Sequence, residues 1–347
     1  MSKPAFKFLN KPYFSIIIPA YNREHCLAET LNAVKNQEFK YWECIIVDDG
    51  SSDRTRAIAD IFAAEDSRFK SLARTENYSK GGNDARNYGA SQARSEYFIF
   101  LDSDDLIAES FLEKRYHLVL KQSNYDLYVF KTSVFFNQPG DSDLLWNNFT
   151  GSETIDELII RFFEQDMPWH TMGVVWKKEF YESTNGWDKE SFVYQDWEVH
   201  LNALFKYPRI YFDCSKPDSF YRINQVDGVT NNTNTTFFYQ SSLNEIRLMY
   251  LKNQQEITSN SKLHEAFIRL VLRHSLIKTL DKKDYRTALV QVLKSWKPLS
   301  PVTHLEWFIK VAWCKSYKLR SMTPNLYSEV KDLKFPRTTH LKLSFQN

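Results

Sequence analysis

Short apolar runs alternate with amphipathic stretches through the first hundred residues. FSIIIPAYN (Phe14–Asn22) reads as a buried strand closed at Pro19. Beyond it Leu27, Leu31 and Val34 share a helical face, with Asn22 as the candidate cap. WECIIVDDGSSD (Trp42–Asp53) repeats the arrangement: the apolar strand Cys44–Val47 ends in acids and a Gly-Ser loop, and a helix is predicted from Arg54 to Ala64. A weaker strand over Phe69–Ala73, the loop NYSKGGNDARN, a helix over Asp84–Arg94 and the strand Tyr97–Leu101 complete the series. This alternation predicts an α/β fold with a mixed, mainly parallel sheet flanked by helices. In such sheets ligands sit beyond the carboxyl ends of the strands. Pro19–Tyr21, Asp48–Asp49 and Asp102–Asp105 all fall at such ends, so they can meet in one crevice.

After Asp126 the pattern is mixed. YDLYVFKTSVFF predicts one long strand, residues 140–151 a polar loop and Glu153–Phe163 a helix. VYQDWEVHLNALF (Val193–Phe205) predicts a helix with acids at its start. From Asn244 to Ser316 the apolar spacing is mostly helical, with breaks at 259–261, 281–284 and 297–301. The expected division is a domain over 1–236 and a basic, mainly helical region over 237–347.

Composition narrows the class. With 347 residues, 43% hydrophobic and 25% charged, the chain is long and apolar enough for a folded globular protein of two domains. It has no apolar run long enough to cross a membrane, and MSKPAFKFLNKPYF lacks the apolar core of a secretory signal. Cys26, Cys44, Cys214 and Cys314 are scattered, which argues against a zinc site or a disulfide framework. A reducing cytoplasm is the expected location. The net charge of +2 hides an asymmetry: residues 237–347 hold 19 Lys or Arg against 8 Asp or Glu. Within them HLEWFIKVAWCKSYKLR (His304–Arg320) is basic and aromatic, with Leu305, Phe308, Ile309 and Ala312 on one face. That face fits packing on the catalytic domain; the alternative is peripheral contact with the inner face of a membrane. No nucleic-acid-binding motif accompanies the charge.

YFIFLDSDDLI (Tyr97–Ile107) ends a strongly apolar strand with three acids in four positions. These carboxylates repel one another unless something offsets them. Asp-x-Asp at a strand end suits a hard divalent cation that bridges phosphates. Alone the motif fits a solvated turn with Asp as helix cap better than a metal site. Its company decides. PAYN, VDDGSSD, GGNDARNYGA and LDSDD occur in this order, each at a strand end or helix start.

In this set the chain resembles the family 2 glycosyltransferases of the GT-A, Rossmann-like fold, from Tyr13 to about Asn232; the C-terminal third matches only in being helical. The resemblance implies a nucleotide pocket walled by Pro19, Ala20, Tyr21 and Asn22. It places Asp48 and Asp49 at the base, with Asp49 accepting from the uracil edge. It puts Arg86 on base or diphosphate, Asp102 and Ser103 near the ribose, and Asp104 on manganese or magnesium. General chemistry agrees: a diphosphate needs cations, and a carboxylate is a fitting acceptor for the uracil imide. Asp48 and Asp49 as helix caps, Arg86 as a surface ion-pair residue and Tyr21 as core are the plain structural readings.

Glycosyl transfer also needs a base for the acceptor hydroxyl. In inverting relatives a Glu-Asp pair at this helix start supplies it; here the pair is Gln195-Asp196, so Asp196 is the expected base. Trp169, His170, Gln195, Trp197 and Arg222 are further candidates for acceptor or phosphate contact. Asn224 stands where some relatives place a histidine near the metal. The expectation is a metal-dependent inverting transferase. It would use a nucleotide-diphosphate sugar, UDP-sugar foremost, and a glycan or lipid-linked acceptor in bacterial surface polysaccharide synthesis. A sugar-phosphate nucleotidyltransferase would carry a Gly-rich triphosphate loop after the first strand, which PAYNREHC lacks. The competing class is a non-catalytic binding subunit of a glycan-assembly complex, towards which Gln195 leans.

Overall fold

The computed structural model describes residues 11–223, 236–282 and 341–342. Its elements follow in chain order. β1 (Phe14–Ala20), α1 (Leu27–Lys35), β2 (Trp42–Asp48), α2 (Thr55–Glu65), β3 (Phe69–Ala73), α3 (Gly82–Gln92) and β4 (Tyr97–Phe100) form the alternating first part. β5 (Leu106–Ile107), α4 (Phe111–Lys121), β6 (Leu127–Phe130), β7 (Ser133–Phe135), β8 (Leu144–Leu145), α5 (Ile155–Phe163), β9 (Val174–Lys177) and α6 (Lys178–Ser183) come next. α7 (Gln195–Leu204), β10 (Ile210–Asp213), β11 (Ser219–Arg222), α8 (Thr236–Lys252), α9 (Gln254–Ser259), α10 (Ser261–Lys282) and β12 (Leu341–Lys342) complete the described chain.

The main sheet has the order β10-β6-β9-β4-β1-β2-β3. All neighbours run parallel except β9, which is antiparallel to both β4 and β6. A second small sheet, β12-β8-β7-β11-β5, lies beyond the end of β4. Every residue of β2 is buried, as expected for a parallel strand covered on both faces. Alternation along β1 divides the core. Ile16 and Ile18 pack with α1, α2 and α4 residues such as Leu31, Phe62 and Leu112. Ile17 packs on the other face, in a core continued by α5, α7, α8 and α10 through Phe162, Leu201, Ile246 and Phe267. α3 lies very close to β1: a Cβ on Gly89 would meet Ile17 Cγ2 at 2.5 Å, so only glycine fits.

Three expectations need correction. The predicted long strand breaks after Phe130, and its halves join different sheets; apolar continuity alone carries no signal for the crossover. The polar 140–151 loop contains β8. Asn22 does not cap α1, which begins five residues later at Leu27; its backbone is left-handed (φ 53°) and its side chain turns to the neighbouring loop. The predicted α5 is present, fixed by a capping box in which Glu157 N donates to Thr154 Oγ1 and Thr154 N to Glu157 Oε2. Residues 304–320 and Asn224 lie outside the described residues.

Candidate functional site

Three loops leave the carboxyl ends of β1, β2 and β4, and side chains tie them together. Asn22 N donates to Ser51 Oγ (3.0 Å), and Asn22 Oδ1 accepts from Ser52 N (2.9 Å). Asp48 closes its own turn, accepting from Gly50 N and Ser51 N at 3.2 Å. Asp49 points across to the α3 loop. It accepts from Gly81 N (2.8 Å) and forms a short ion pair with Arg74. Tyr21 is 43% exposed, so it is not a core residue, and the Lys80 ammonium sits 4.4 Å over its ring. Pro19 and Ala20 form the floor at the end of β1.

The three acids after β4 have three different partners. Asp102 Oδ1 accepts from Arg86 Nη2 (2.7 Å). Burial raises the Asp102 pKa, but Arg86 more than offsets this and the carboxyl stays below its ordinary range. Asp104 faces Arg23 Nε at 3.7 Å; burial and Asp102 together hold its pKa up. Asp105 is buried and accepts from Arg222 N (2.9 Å). Its other oxygen has no partner among the described residues, and burial beside Asp104 and Asp102 pushes its pKa well up. The Ser103 carbonyl accepts from Thr30 Oγ1 (3.1 Å), which anchors this loop to α1.

Arg86 joins these loops to the start of α7. Besides Asp102 it donates through Nη1 to Gln195 Oε1 (3.3 Å), and its guanidinium lies 4.4 Å over the Trp187 ring. Burial disfavours its charge, yet Asp102 and Asp196 prevail and its pKa is raised. It is therefore not a surface ion-pair residue. Asp196 is the second residue of α7. Burial raises its pKa, Arg86 pulls it down and Asp102 pushes it up; the result is a carboxyl above its ordinary range. His170 is buried between the rings of Trp146 (4.9 Å) and Tyr221 (5.0 Å), and burial lowers its pKa. Ligand atoms of Asp102, Asp105 and His170 lie within 4.8 Å of one another, close enough to hold one cation.

Other candidates are placed differently. Trp169 and Trp197 are core residues, 3% and 2% exposed, and Trp197 Nε1 donates to the Phe162 carbonyl (2.7 Å). Neither offers a face to an acceptor, because α5 covers them. Arg222 is committed within the protein: it donates to the Asp104 carbonyl (2.8 Å) and to Glu29 (2.6 Å). Glu198 is buried against Lys252 (3.1 Å). Sequence reasoning missed Arg74 and Arg23 as site residues, and the Arg86–Trp187 stack; it brought Asp105 to the crevice without a role. Arg23 follows PAYN directly and was legible in principle; Arg74, a lone arginine 25 residues after Asp49, was not.

The glycosyl transferase family 2 profile matches residues 15–176. The UDP-Glc:alpha-D-GlcNAc-diphosphoundecaprenol beta-1,3-glucosyltransferase WfgD of Escherichia coli is 38% identical over 114 residues, 33% of this chain and 44% of that one. The GalNAc(5)-diNAcBac-PP-undecaprenol beta-1,3-glucosyltransferase of Campylobacter jejuni is 38% identical over 94 residues, 27% of this chain and 30% of that one. The chain thus spans less than half the length of each of these curated relatives. Among solved structures, S. aureus TarS 1–349 in complex with UDP-GlcNAc superposes with a TM-score of 0.56 at 17% identity, over 92% of this chain and 88% of that one. That likeness establishes the GT-A fold. With the ordered motifs at the strand ends, residues 15–176 match glycosyl transferase family 2.

Proposed function

We propose that the protein is an inverting glycosyltransferase that moves a sugar from a nucleotide-diphosphate sugar, UDP-sugar foremost, to a hydroxyl of a glycan or lipid-linked acceptor in surface polysaccharide synthesis. One observation carries the reading: buried Arg86 joins Asp102 at the end of β4 to Gln195 at the start of α7, beside Asp196. A cation for a diphosphate and a carboxylate for a hydroxyl proton thus stand side by side. Relatives named for lipid-diphosphate acceptors and a fold neighbour solved with UDP-GlcNAc support the substrate classes.

Each residue then has a role. Asp49 accepts the uracil imide N–H, with Tyr21 and Pro19–Asn22 as the wall beside the base. Arg86 faces the diphosphate. Asp196 takes the proton of the acceptor hydroxyl as its oxygen attacks the anomeric carbon, and its raised pKa makes it a better base. Gln195 is an uncharged acceptor for Arg86 at a place where a glutamate would add a further negative charge to Asp102 and Asp196. The unpartnered oxygen of Asp105, with Asp102 and His170 close by, fits a hard cation, and Asp104 is the adjoining donor. Bound there, manganese or magnesium would neutralise charge on the departing diphosphate.

Residues 1–236 would form the catalytic unit and 237–347 a helical unit on it; α8 and α10 share a core with α5 and α7. No helix among the described residues is long and apolar enough to cross a membrane. Cytoplasmic location with peripheral membrane contact through 304–320 remains part of the proposal.

The test is calorimetric titration with UDP and GDP, with and without manganese, on the wild type and Asp104→Ala. UDP binding that needs manganese and is lost in Asp104→Ala is the expected result. Binding of neither nucleotide would overturn the reading and favour a different ligand.

A further inference from the structure

The stretch before α7 is held by a carboxylate from far along the chain. Glu245, on α8, is 3% exposed. Its Oε1 accepts from Phe192 N (2.7 Å) and Val193 N (3.0 Å). Its Oε2 accepts from Tyr194 N (2.9 Å) and Ser191 Oγ (3.0 Å). A carboxylate has about four acceptor positions, and all are in use. No cation pairs with Glu245 among the described residues. α7 has no side-chain cap of its own; Glu245 instead holds the three amides that lead into it, from 51 residues downstream, where a negative charge also suits a helix N-terminus.

Two further ties hold the same segment. Asn83 Nδ2 on α3 donates to the carbonyls of Asp188 (2.7 Å) and Ser191 (2.9 Å). Tyr194 OH and His274 Nε2 on α10 are 2.7 Å apart. Asp196 follows two residues after the last amide that Glu245 holds.

We propose that Glu245 is a positioning residue for the transfer reaction: by gripping three consecutive amides it sets where α7 begins and so where the Asp196 carboxylate stands. This rests on the reading of Asp196 as the base. Burying a carboxylate without a cation is costly, and a neutral acceptor could cap a helix, so the arrangement supplies rigidity beyond that of a simple cap.

The test uses the full chain and three variants of Glu245. Glu245→Gln keeps the volume but turns an NH2 towards a backbone N–H. Glu245→Ala removes the grip, and Glu245→Asp keeps the charge on a shorter arm. Turnover is read as UDP release from a panel of UDP-sugars, alongside UDP affinity and amide exchange of residues 191–199 by mass spectrometry. Glu245→Gln should lower kcat about tenfold and Glu245→Ala about a hundredfold, with UDP affinity and donor KM unchanged and faster exchange at 192–194. Glu245→Asp should recover part of the loss. In an Asp196→Asn background, Glu245→Gln should cost no further turnover, because the two act as one unit. If folded Glu245→Gln and Glu245→Ala both keep wild-type kcat while Asp196→Asn loses it, Glu245 is a packing residue and the proposal falls alone. If Asp196→Asn keeps full turnover, or the wild type releases UDP from no donor, the underlying reading falls and takes this one with it.

Discussion

The sides of the crevice proposed to hold the donor and the acceptor are built differently. On the donor side, loops from β1, β2 and β4 hold one another through Asn22–Ser51, Asp49–Gly81 and Arg23–Asp104, all within the first 105 residues. On the acceptor side, the segment leading to Asp196 is held by Asn83 from more than 100 residues upstream and by Glu245 and His274 from 50 to 80 residues downstream. The donor side is thus a product of a parallel sheet, whose strand ends converge by topology. The acceptor side depends on helices packing late in the chain. Arg86 is one contact between them, reaching Asp102 and Gln195 at once.

The contrast can be tested where it is sharpest. Asp196→Asn removes the base alone, so turnover should fall about 10²–10⁴-fold while UDP affinity, measured by titration, stays at the wild-type level. A parallel loss of UDP affinity would mean that the two sides are not separable. Arg86→Ala should damage both sides together. It leaves Asp102 without its cation in a mostly buried position, and a loss of about 2–3 kcal/mol in denaturant unfolding is expected. UDP affinity should fall as well; loss of stability with UDP binding intact would remove Arg86 from the diphosphate.

Gly89→Ala strikes the donor side only. The added methyl meets Ile17 and must push α3 off β1, at a cost of about 1–3 kcal/mol readable as a lower unfolding midpoint. A pH-dependent effect belongs to the acceptor side. His200 stacks on Trp176 in the core, and burial lowers its pKa to about 3 from an ordinary 6.5. The folded state therefore binds this proton less readily than the unfolded chain. Its contribution is complete above pH 6.5 and falls by about 1.4 kcal/mol per pH unit as the pH drops towards 3. His200→Phe should flatten that part of the stability–pH curve. An unchanged slope would show that carboxylates alone set the acid limb.

Legibility follows the same division. Strand ends rich in acids, with the helices between them, could be placed from periodicity because each is a local pattern. PAYN, VDDGSSD and LDSDD could thus be placed at strand ends and Asp196 at a helix start. What holds those residues did not. Arg74 gives no local sign that it faces Asp49, and Glu245 sits on an amphipathic helix like many others. Trp169 and Trp197 stood as candidates for acceptor contact although a lone tryptophan is more often core; the packing of α5 over them decides for the core. The break between β6 and β7 was hidden because both halves are equally apolar.

The Arg86 guanidinium has a consequence for how such a protein can change over generations. On the proposed reading, Tyr21 and Lys80, exposed at the rim, can be exchanged one at a time, each altering what the rim presents to a nucleotide and little else. Arg86 cannot. A change there alters the Asp102 loop, the Trp187 face and Gln195 together. On the proposed reading, a change of acceptor is most readily reached by substitutions in the segment 188–194 that leave Arg86 in place.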